Sequence, residues 1–246
     1  IILGTSSPDR NYPSDACSVQ AAIGAVNAVA FDISAACAGF IFAMNIVEGF
    51  FKAGIYKTAL IIGAETLSKV TDWSDRGTCV LFGDGAGAAV LKAEETGIID
   101  MMMGADGTKG DVLACTSRTV GNFLTGTKPE LGFMTMDGQE VFKFAVRKVP
   151  ESVLELLNRT GTKKEDIKYY VLHQANERII EAAARRLKEP MEKFPMTISQ
   201  FGNTSTASIP LLLDDMIQKD MLKRGDKIIM SGFGAGMTWG AVLMEW

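Results

Sequence analysis

The stretch Phe82-Gly-Asp-Gly-Ala-Gly-Ala-Ala-Val-Leu91 joins a glycine-rich turn to an apolar strand, and the chain contains this arrangement twice. The second copy reads Phe233-Gly-Ala-Gly-Met-Thr-Trp-Gly-Ala-Val-Leu243. In both places it follows a helix-like segment, a Lys-Ala-Gly or Lys-Arg-Gly turn and an apolar strand. A period this long is not that of a solenoid repeat. The sequence therefore predicts an α/β fold in which two similar units pack as pseudo-symmetric halves.

Outward from these two copies, the hydrophobic pattern predicts strands that alternate with helices. The predicted strands are 29–33, 57–63, 79–82, 86–92, 169–172, 196–199, 227–230 and 238–245. The predicted helices are 38–53, 140–158, 177–188 and 207–221, with a kink or restart of the second at Pro150. The segment 104–136 is rich in Gly, Thr and Asp with weak periodicity, so we predict that it is mostly loop.

The predicted elements divide the chain into three segments. Residues 1–95 form an incomplete N-terminal half, residues 96–150 supply connecting loops and a helix, and residues 151–246 form a C-terminal half. Cys37 and Asn203 occupy equivalent places in the two halves, each at a strand-to-helix turn. Equivalent turns of facing halves can meet, so we expect these two residues at the interface.

The composition is that of a globular α/β enzyme and excludes several classes of function. The chain has 246 residues, is 47% hydrophobic and carries a net charge of −4, which argues against binding to nucleic acid. No apolar run reaches the ~18 residues that a membrane span needs. A signal peptide is not evident, and the start Ile-Ile-Leu-Gly-Thr is typical of a buried strand, so we expect the natural N-terminus to lie upstream.

The four cysteines indicate a cytoplasmic protein without a metal site. Cys17, Cys37, Cys79 and Cys115 lie far apart, and none of them forms a CxxC pair. A zinc site or a redox pair is therefore not expected, and a chain of this size with separate thiols is typical of a reducing compartment.

His173 is the single histidine of the chain and lies in the string Val171-Leu-His-Gln-Ala-Asn176. Mechanisms that need two histidines are excluded unless another chain supplies the second. A mechanism with one imidazole beside a cysteine, a serine or an amide remains open.

Cys37 is the candidate nucleophile because it lies between a predicted strand and the start of a predicted helix. Free N–H groups and partial positive charge at a helix N-terminus favour a thiolate over a thiol. The alternative is a buried cysteine that acts as a small hydrophobic residue. We favour that alternative for the other three cysteines.

His173 and Asn203 are candidate donors to a developing oxyanion. A neutral amide does not titrate, and together with an imidazole it can stabilise negative charge on a carbonyl oxygen. The alternatives are a hydrogen-bonded core histidine and an asparagine that caps a helix. Together with Cys37, the two residues predict a cysteine that takes an acyl group beside two donors for an enolate.

The glycine-rich turn at 233–240 can place backbone N–H groups near a thioester oxygen. The alternative is a tight turn between two strands, where glycine allows a positive φ. It is not a dinucleotide-binding fingerprint, because a strand follows where a helix should begin.

Four strings closely resemble the β-ketoacyl-acyl-carrier-protein synthase III family. They are Asp32-Ile-Ser-Ala-Ala-Cys-Ala-Gly-Phe40, Leu172-His-Gln-Ala-Asn176, Gly202-Asn-Thr-Ser-Thr-Ala-Ser-Ile-Pro210 and Gly232-Phe-Gly-Ala-Gly-Met-Thr-Trp-Gly240. The resemblance covers essentially the whole chain in the family's order. It implies a thiolase-like fold, layered αβαβα, with mixed sheets and buried helices. It also implies that a segment before Ile1, including part of the nucleotide site and a sheet edge, is missing.

The resemblance implies a decarboxylative condensation of a short acyl-coenzyme A primer with malonyl-acyl-carrier protein, without a cofactor or metal. Cys37 would be acylated, the backbone N–H groups of Cys37 and Ala235 would form the oxyanion hole, and His173 and Asn203 would stabilise the carbanion. The middle segment 96–150 would line the acyl and pantetheine channel. The implied substrate-binding residues are Tyr12, Arg76, Gly138, Phe142, Asn176, Arg178 and Phe233.

The resemblance also assigns these residues more specific roles. Arg76 and Arg178 would face coenzyme A or carrier-protein phosphate, although solvated surface charges are the alternative. Tyr12 would reach across a homodimer into the partner's acyl pocket, at a place where phenylalanine is usual. The primer's length and branching therefore stay open.

Other functions on the same scaffold are weighed against this one. A polyketide-type ketosynthase also uses Cys, His and Asn, whereas an acyltransferase that forms esters needs no enolate donor such as Asn203. A thiolase proper has a second cysteine in its C-terminal glycine-rich turn, and the elongating synthases need two histidines. A non-catalytic subunit that binds carrier protein is a further alternative if the chain is truncated.

Overall fold

Two mixed β-sheets form the framework of the protein in a computed structural model that describes residues 1–117 and 119–246. The strands are β1 (Ile2–Gly4), β2 (Phe31–Ile33), β3 (Thr58–Glu65), β4 (Gly85–Lys92), β5 (Ile98–Ala105), β6 (Leu113–Cys115), β7 (Met134–Met136), β8 (Ile167–Leu172), β9 (Lys227–Gly234) and β10 (Thr238–Glu245). The helices are α1 (Asp15–Ala22), α2 (Gly39–Lys52), α3 (Gly138–Thr160), α4 (Glu177–Leu187), α5 (Ile198–Phe201) and α6 (Ser208–Gln218).

The two sheets share a three-strand unit, β1-β3-β4 in one and β8-β9-β10 in the other, which confirms the predicted pseudo-symmetric halves. The first has the order β2-β1-β3-β4 and the second the order β5-β10-β9-β8. In each sheet a parallel pair, β1 with β3 or β8 with β9, is followed by an antiparallel hairpin, β3 with β4 or β9 with β10. These hairpins contain the two copies of the glycine-rich stretch.

Helices α2 and α6 lie between the sheets, which gives the layered arrangement expected of a thiolase-like α/β fold. Helix α2 contacts β1 and β3 of the first sheet as well as β5, β9 and β10 of the second. It can do so because apolar side chains cover most of its circumference, including Phe40, Ile41, Met44 and Val47. A helix that is apolar on more than one face is stable only when it is buried.

Helix α3 covers an outer face of the second sheet and contacts β5, β9 and β10. Asp137 begins this helix by accepting from the N–H groups of Gln139 and Glu140, and Gly161 ends it at a φ of 66°. The helix is continuous through Pro150, so the predicted restart at that residue is wrong. Burial of Pro150 and Val149 against the core stabilises the helix where the missing N–H weakens it.

Two predicted strands are wrong. Residues 79–82 form a turn in which only Phe82 makes an isolated bridge to Asn203, and β4 pairs with β3 instead. Residues 196 and 197 are coil, and residues 198 and 199 are the first two of α5. Short apolar runs do not distinguish a strand from a buried turn, which explains both errors.

The segments predicted without regular structure contain several elements. Strand β5 overlaps the start of the predicted loop and belongs to the second sheet, and β6 pairs with β7 in a small separate ribbon. The division into 1–95, 96–150 and 151–246 stays a prediction. Within the described residues, we find no helix that combines the length and apolarity required to cross a membrane.

Candidate active site

Cys37, His173 and Asn203 line one internal cavity of about 110 Å³. The cavity lies where the two halves meet, as expected from the equivalent places of Cys37 and Asn203 in the repeat. Four of the predicted substrate-binding residues also line it, namely Gly138, Phe142, Asn176 and Phe233. The remaining lining residues were not predicted: Leu81, Phe82, Leu113, Met136, Val141, Ala175, Ile179 and Gly234.

Cys37 lies in a short 3₁₀ turn, Ala36–Ala38, between β2 and α2. Ala36 has a positive φ of 46°, a strained conformation for a residue with a side chain. Two hydroxyl groups from the C-terminal half of the chain donate to backbone carbonyls of this turn and of the residue before it. Thr206 donates to the Ala36 carbonyl at 2.8 Å, and Thr238 donates to the Ala35 carbonyl at 3.0 Å.

The glycine-rich turn of the second half packs directly on the nucleophile. A β-carbon added at Gly234 would lie 2.5 Å from the backbone nitrogen of Cys37, so only glycine permits this approach. Ala235, the predicted oxyanion donor, is the next residue but is not among those that line the cavity.

Burial raises the pKa of the Cys37 thiol to about 12. A hydrogen bond with the Ser205 side chain acts in the opposite direction, and the carboxylate of Glu65 adds to the increase. The expectation that the turn would favour a thiolate is therefore wrong for the resting protein, because desolvation outweighs the local donors.

Glu65 is a buried carboxylate that the sequence did not single out. It ends β3 and accepts hydrogen bonds from Thr5 Oγ1 at 3.3 Å, Ser6 N at 3.0 Å, Ser7 Oγ at 2.6 Å and Thr206 Oγ1 at 3.0 Å. The single hydroxyl proton of Thr206 lies between Glu65 Oε1 and the Ala36 carbonyl, so this threonine connects Glu65 to the turn before Cys37. A charged residue at the end of an otherwise apolar strand was the available signal.

His173 directly follows β8, and its backbone N–H donates to the Ser231 carbonyl at 2.8 Å. Its ring stands edge-on to Phe233, with 5.4 Å between the ring centroids. The Nδ1 atom lies 2.6 Å from Ser208 Oγ. Complete burial lowers the pKa of His173 to about 3, so the imidazole is neutral at physiological pH.

Asn203 is fixed through both its backbone and its side chain. Its backbone N–H donates to the Leu81 carbonyl and its carbonyl accepts from Gly83 N, each at 2.9 Å. Its side-chain oxygen accepts from Ser205 N at 2.9 Å. The amide NH₂ is then the group that remains for the cavity. The helix-cap alternative is not observed, because Thr204 is the N-cap of the short 3₁₀ turn Ser205–Ala207 and Ala207 that of α6.

Tyr12, Arg76 and Arg178 do not line the cavity of the single chain. Tyr12 is 85% exposed, and both arginines are exposed. Gly77, next to Arg76, lines an open groove of about 800 Å³ that shares Met136 and Gly138 with the cavity. The groove therefore adjoins the cavity from the outer surface. In the part of the chain that the structure describes, no group of three or more His, Cys, Asp or Glu side chains could hold a metal ion.

The chain is similar to known proteins over its whole length. Residues 31–107 match the family described as 3-oxoacyl-[acyl-carrier-protein] synthase III, and residues 157–246 match its C-terminal family. The chain is 51% identical to β-ketoacyl-[acyl-carrier-protein] synthase III of Clostridium acetobutylicum over 248 aligned residues, which cover 100% of this chain and 76% of the relative.

Two solved structures extend the comparison. The 3-oxoacyl-[acyl-carrier-protein] synthase III of Aquifex aeolicus is 45% identical with a TM-score of 0.91, over 100% of this chain and 76% of that chain. The priming β-ketosynthase of the R1128 polyketide pathway is 32% identical with a TM-score of 0.90, over 99% of this chain and 73% of that chain.

Proposed function

The chain belongs to the 3-oxoacyl-[acyl-carrier-protein] synthase III family, and from this membership we propose a role for each polar group of the cavity. The protein is an acyltransferase, the initiating condensing enzyme of fatty-acid synthesis. One observation carries the proposed roles: a cysteine, a neutral imidazole and a primary amide share a single buried cavity.

In the first half-reaction, Cys37 attacks the thioester carbonyl of an acyl-coenzyme A. A bond forms between its sulfur and the acyl carbon, the bond to the coenzyme A sulfur breaks, and the thiol proton leaves with coenzyme A. Because the resting thiol is neutral, its proton must depart as the substrate is attacked. The backbone N–H groups of Cys37 and Ala235 would stabilise the tetrahedral oxyanion.

In the second half-reaction, malonyl-acyl-carrier protein loses carbon dioxide, and the resulting carbanion attacks the acyl group on Cys37. The new carbon–carbon bond forms as the cysteine sulfur leaves and takes up a proton. His173 and Asn203 would donate to the malonyl thioester oxygen while it carries the enolate charge. Donors fixed in a buried site stabilise such charge strongly, because no solvent must reorient.

Acyl carrier protein and coenzyme A thioesters are the partners that the family implies. Arg76 and Arg178 would contact their phosphate groups near the groove, and Tyr12 would enter the acyl pocket of a second copy in a homodimer. The reaction needs no cofactor, because the thioesters already carry activated acyl groups. The cytoplasmic location predicted from the cysteines stays a prediction.

The alternative functions receive less support. The polyketide priming enzyme is similar at 32% identity, compared with 51% and 45% for the two synthase III proteins. An ester-forming acyltransferase leaves the amide of Asn203 without a role, and a non-catalytic subunit leaves the whole cavity unexplained.

Self-acylation of Cys37 is the direct test of the proposed function. After incubation with acetyl-coenzyme A, intact-mass analysis should detect one acetyl group per chain. The adduct should be absent from Cys37→Ala and present in Cys17→Ala, a control that removes an exposed thiol. An adduct that survives Cys37→Ala, or no adduct at all, would contradict the proposal.

The division of labour between the two half-reactions gives a second test. His173→Ala and Asn203→Ala should each lower the rate of malonyl decarboxylation by about 10²- to 10³-fold, the usual cost of one oxyanion donor. Acylation of Cys37 should continue in both variants. The two rates can be followed separately by carbon dioxide release and by intact mass, and equal loss of both would rule out the assigned roles.

A further inference from the structure

The neutral ring of His173 carries one N–H, and the identity of that nitrogen decides what the ring can do. Ser208 contacts Nδ1, so Nε2 is the nitrogen left for a ligand. With the proton on Nε2, this nitrogen is a hydrogen-bond donor. With the proton on Nδ1, Nε2 is an acceptor and repels a carbonyl oxygen. The hydrogen bonds of the neighbouring groups distinguish the two tautomers.

Ser208 supplies the decisive contact. Its oxygen lies 2.6 Å from His173 Nδ1 and accepts from the backbone N–H of Gln174 at 3.3 Å. The hydroxyl has one proton to donate. Among the residues that the structure describes, it makes no hydrogen bond to any other acceptor, so Nδ1 is where the proton goes.

A comparison within the chain shows what a buried helical serine does otherwise. Ser152, which is buried in α3, donates to the carbonyl of Lys148 one turn earlier at 2.8 Å. Ser208 lies in the first turn of α6, yet its hydroxyl points to the imidazole rather than back along the chain. A buried hydroxyl without an acceptor is costly, which reinforces donation to Nδ1.

We infer that Ser208 is a positioning residue that fixes His173 in the tautomer with its proton on Nε2. In the described part of the chain, Nε2 makes no hydrogen bond to protein, and the residue lines the cavity. The N–H at Nε2 is therefore free for a substrate oxygen. The catalytic consequence rests on the proposed function, whereas the tautomer itself does not.

Asn203 is oriented by the same device, although through a backbone group. Its acceptor oxygen is occupied by the N–H of Ser205, which leaves the two amide N–H bonds as donors. The hydroxyl of Ser208 thus occupies Nδ1 of His173, and the backbone N–H of Ser205 occupies the side-chain oxygen of Asn203. The cavity then offers N–H donors from both His173 and Asn203, which suits an enolate oxygen.

Because the chain has one histidine, the tautomer can be read without assignment. The protein is labelled with ¹⁵N-histidine and purified without a histidine tag, and long-range ¹H–¹⁵N correlation spectra are recorded at pH 7. We expect Nε2 to give the signal of a protonated nitrogen and Nδ1 that of an unprotonated acceptor. The reverse pattern in the wild-type protein would overturn the inference, whatever the activity.

Three variants separate positioning from packing. Ser208→Ala should mix the two tautomers and lower kcat for condensation by about 3- to 10-fold, as expected for one lost hydrogen bond, with little change in acylation of Cys37. Ser208→Thr keeps a hydroxyl and should give the same spectrum as the wild-type protein. Ser152→Ala removes an equally buried hydroxyl and should leave the spectrum unchanged.

The spectra test the tautomer of His173, whereas the rates test its proposed role as a donor. An unmixed Nε2–H spectrum in Ser208→Ala would show that another group fixes the tautomer. Mixed tautomers with normal condensation would confirm the positioning and contradict the proposed donor role of His173.

Discussion

Burial of a single imidazole makes the stability of this protein depend on acid pH. The pKa of His173 falls from 6.5 to about 3 on folding, with desolvation as its cause. Below pH 6.5 the unfolded chain binds a proton that the folded chain does not, so stability is lost as the pH falls. Above that pH the residue contributes no pH dependence.

This linkage predicts a measurable difference between the wild-type protein and His173→Gln. Between pH 7.5 and pH 5.5 the wild-type protein should lose about 1.4 kcal/mol more of its unfolding free energy than the variant, for one proton bound by the unfolded state. Urea titrations at the two pH values test this. An equal pH dependence in both proteins would mean that folding does not lower the pKa of His173.

At the residue scale, the sequence predicted three polar residues that share one cavity but not the residues that orient them. Cys37, His173 and Asn203 have side chains whose chemistry suggests a role. Ser205 and Ser208 lie in the same string as Asn203, Gly202–Pro210, but their sequence gave no reason to select them. Their roles depend on which atom each serine presents and toward which neighbour. That information is three-dimensional and is absent from residue identity.

At the scale of elements, the site depends on how β3 ends. The carboxylate of Glu65 accepts hydrogen bonds from three side chains and one backbone N–H, and through Thr206 it connects to the turn of Cys37. Removal of this acceptor leaves the buried hydroxyls of Thr5 and Ser7 without an acceptor, and each such loss costs about 1–3 kcal/mol.

We therefore expect Glu65→Ala to lower the unfolding free energy by at least about 2 kcal/mol, and to slow acylation of Cys37 as well. Glu65→Gln keeps one acceptor oxygen and should lose less. Glu94→Ala, which breaks an exposed ion pair with Lys92, should cost at most about 1 kcal/mol. Chemical denaturation compares the three variants, and a loss in Glu65→Ala as small as in Glu94→Ala would refute the argument.

Elements with long apolar patterns were predicted well, and short ones were not. Helices α2, α4 and α6 and strands β3, β4, β9 and β10 were all identified, because burial dictates their periodicity. Helix α1 was missed because it is short and has little apolar contrast between its faces. The strand predicted at 79–82 failed because backbone groups there bind Asn203, a partner distant in sequence.

At the scale of the whole molecule, the repeat gave the architecture, yet the two halves are not equivalent in this chain. Strand β10 is flanked by β9 and β5, whereas β4 pairs only with β3 in the described residues. A repeat in sequence reveals equivalent elements but not which neighbours cover them.

This asymmetry predicts different hydrogen exchange in two equivalent strands. The backbone N–H groups of β4 that point away from β3 should exchange rapidly, while those of β10 should be protected on both sides. Exchange measured by NMR or mass spectrometry on this 246-residue chain tests the expectation, with β10 as the internal control. Equal protection of both strands would show that another segment or a second copy covers β4.

The hydroxyls that anchor the turn of Cys37 come late in the chain, so this turn can be completed only late in synthesis. Thr206 and Thr238 follow their partners Ala36 and Ala35 by 170 and 203 residues. A growing chain leaves the ribosome N-terminus first, so the nucleophile emerges long before either anchor. An unfinished chain therefore carries Cys37 on a turn that lacks both of these hydroxyl donors.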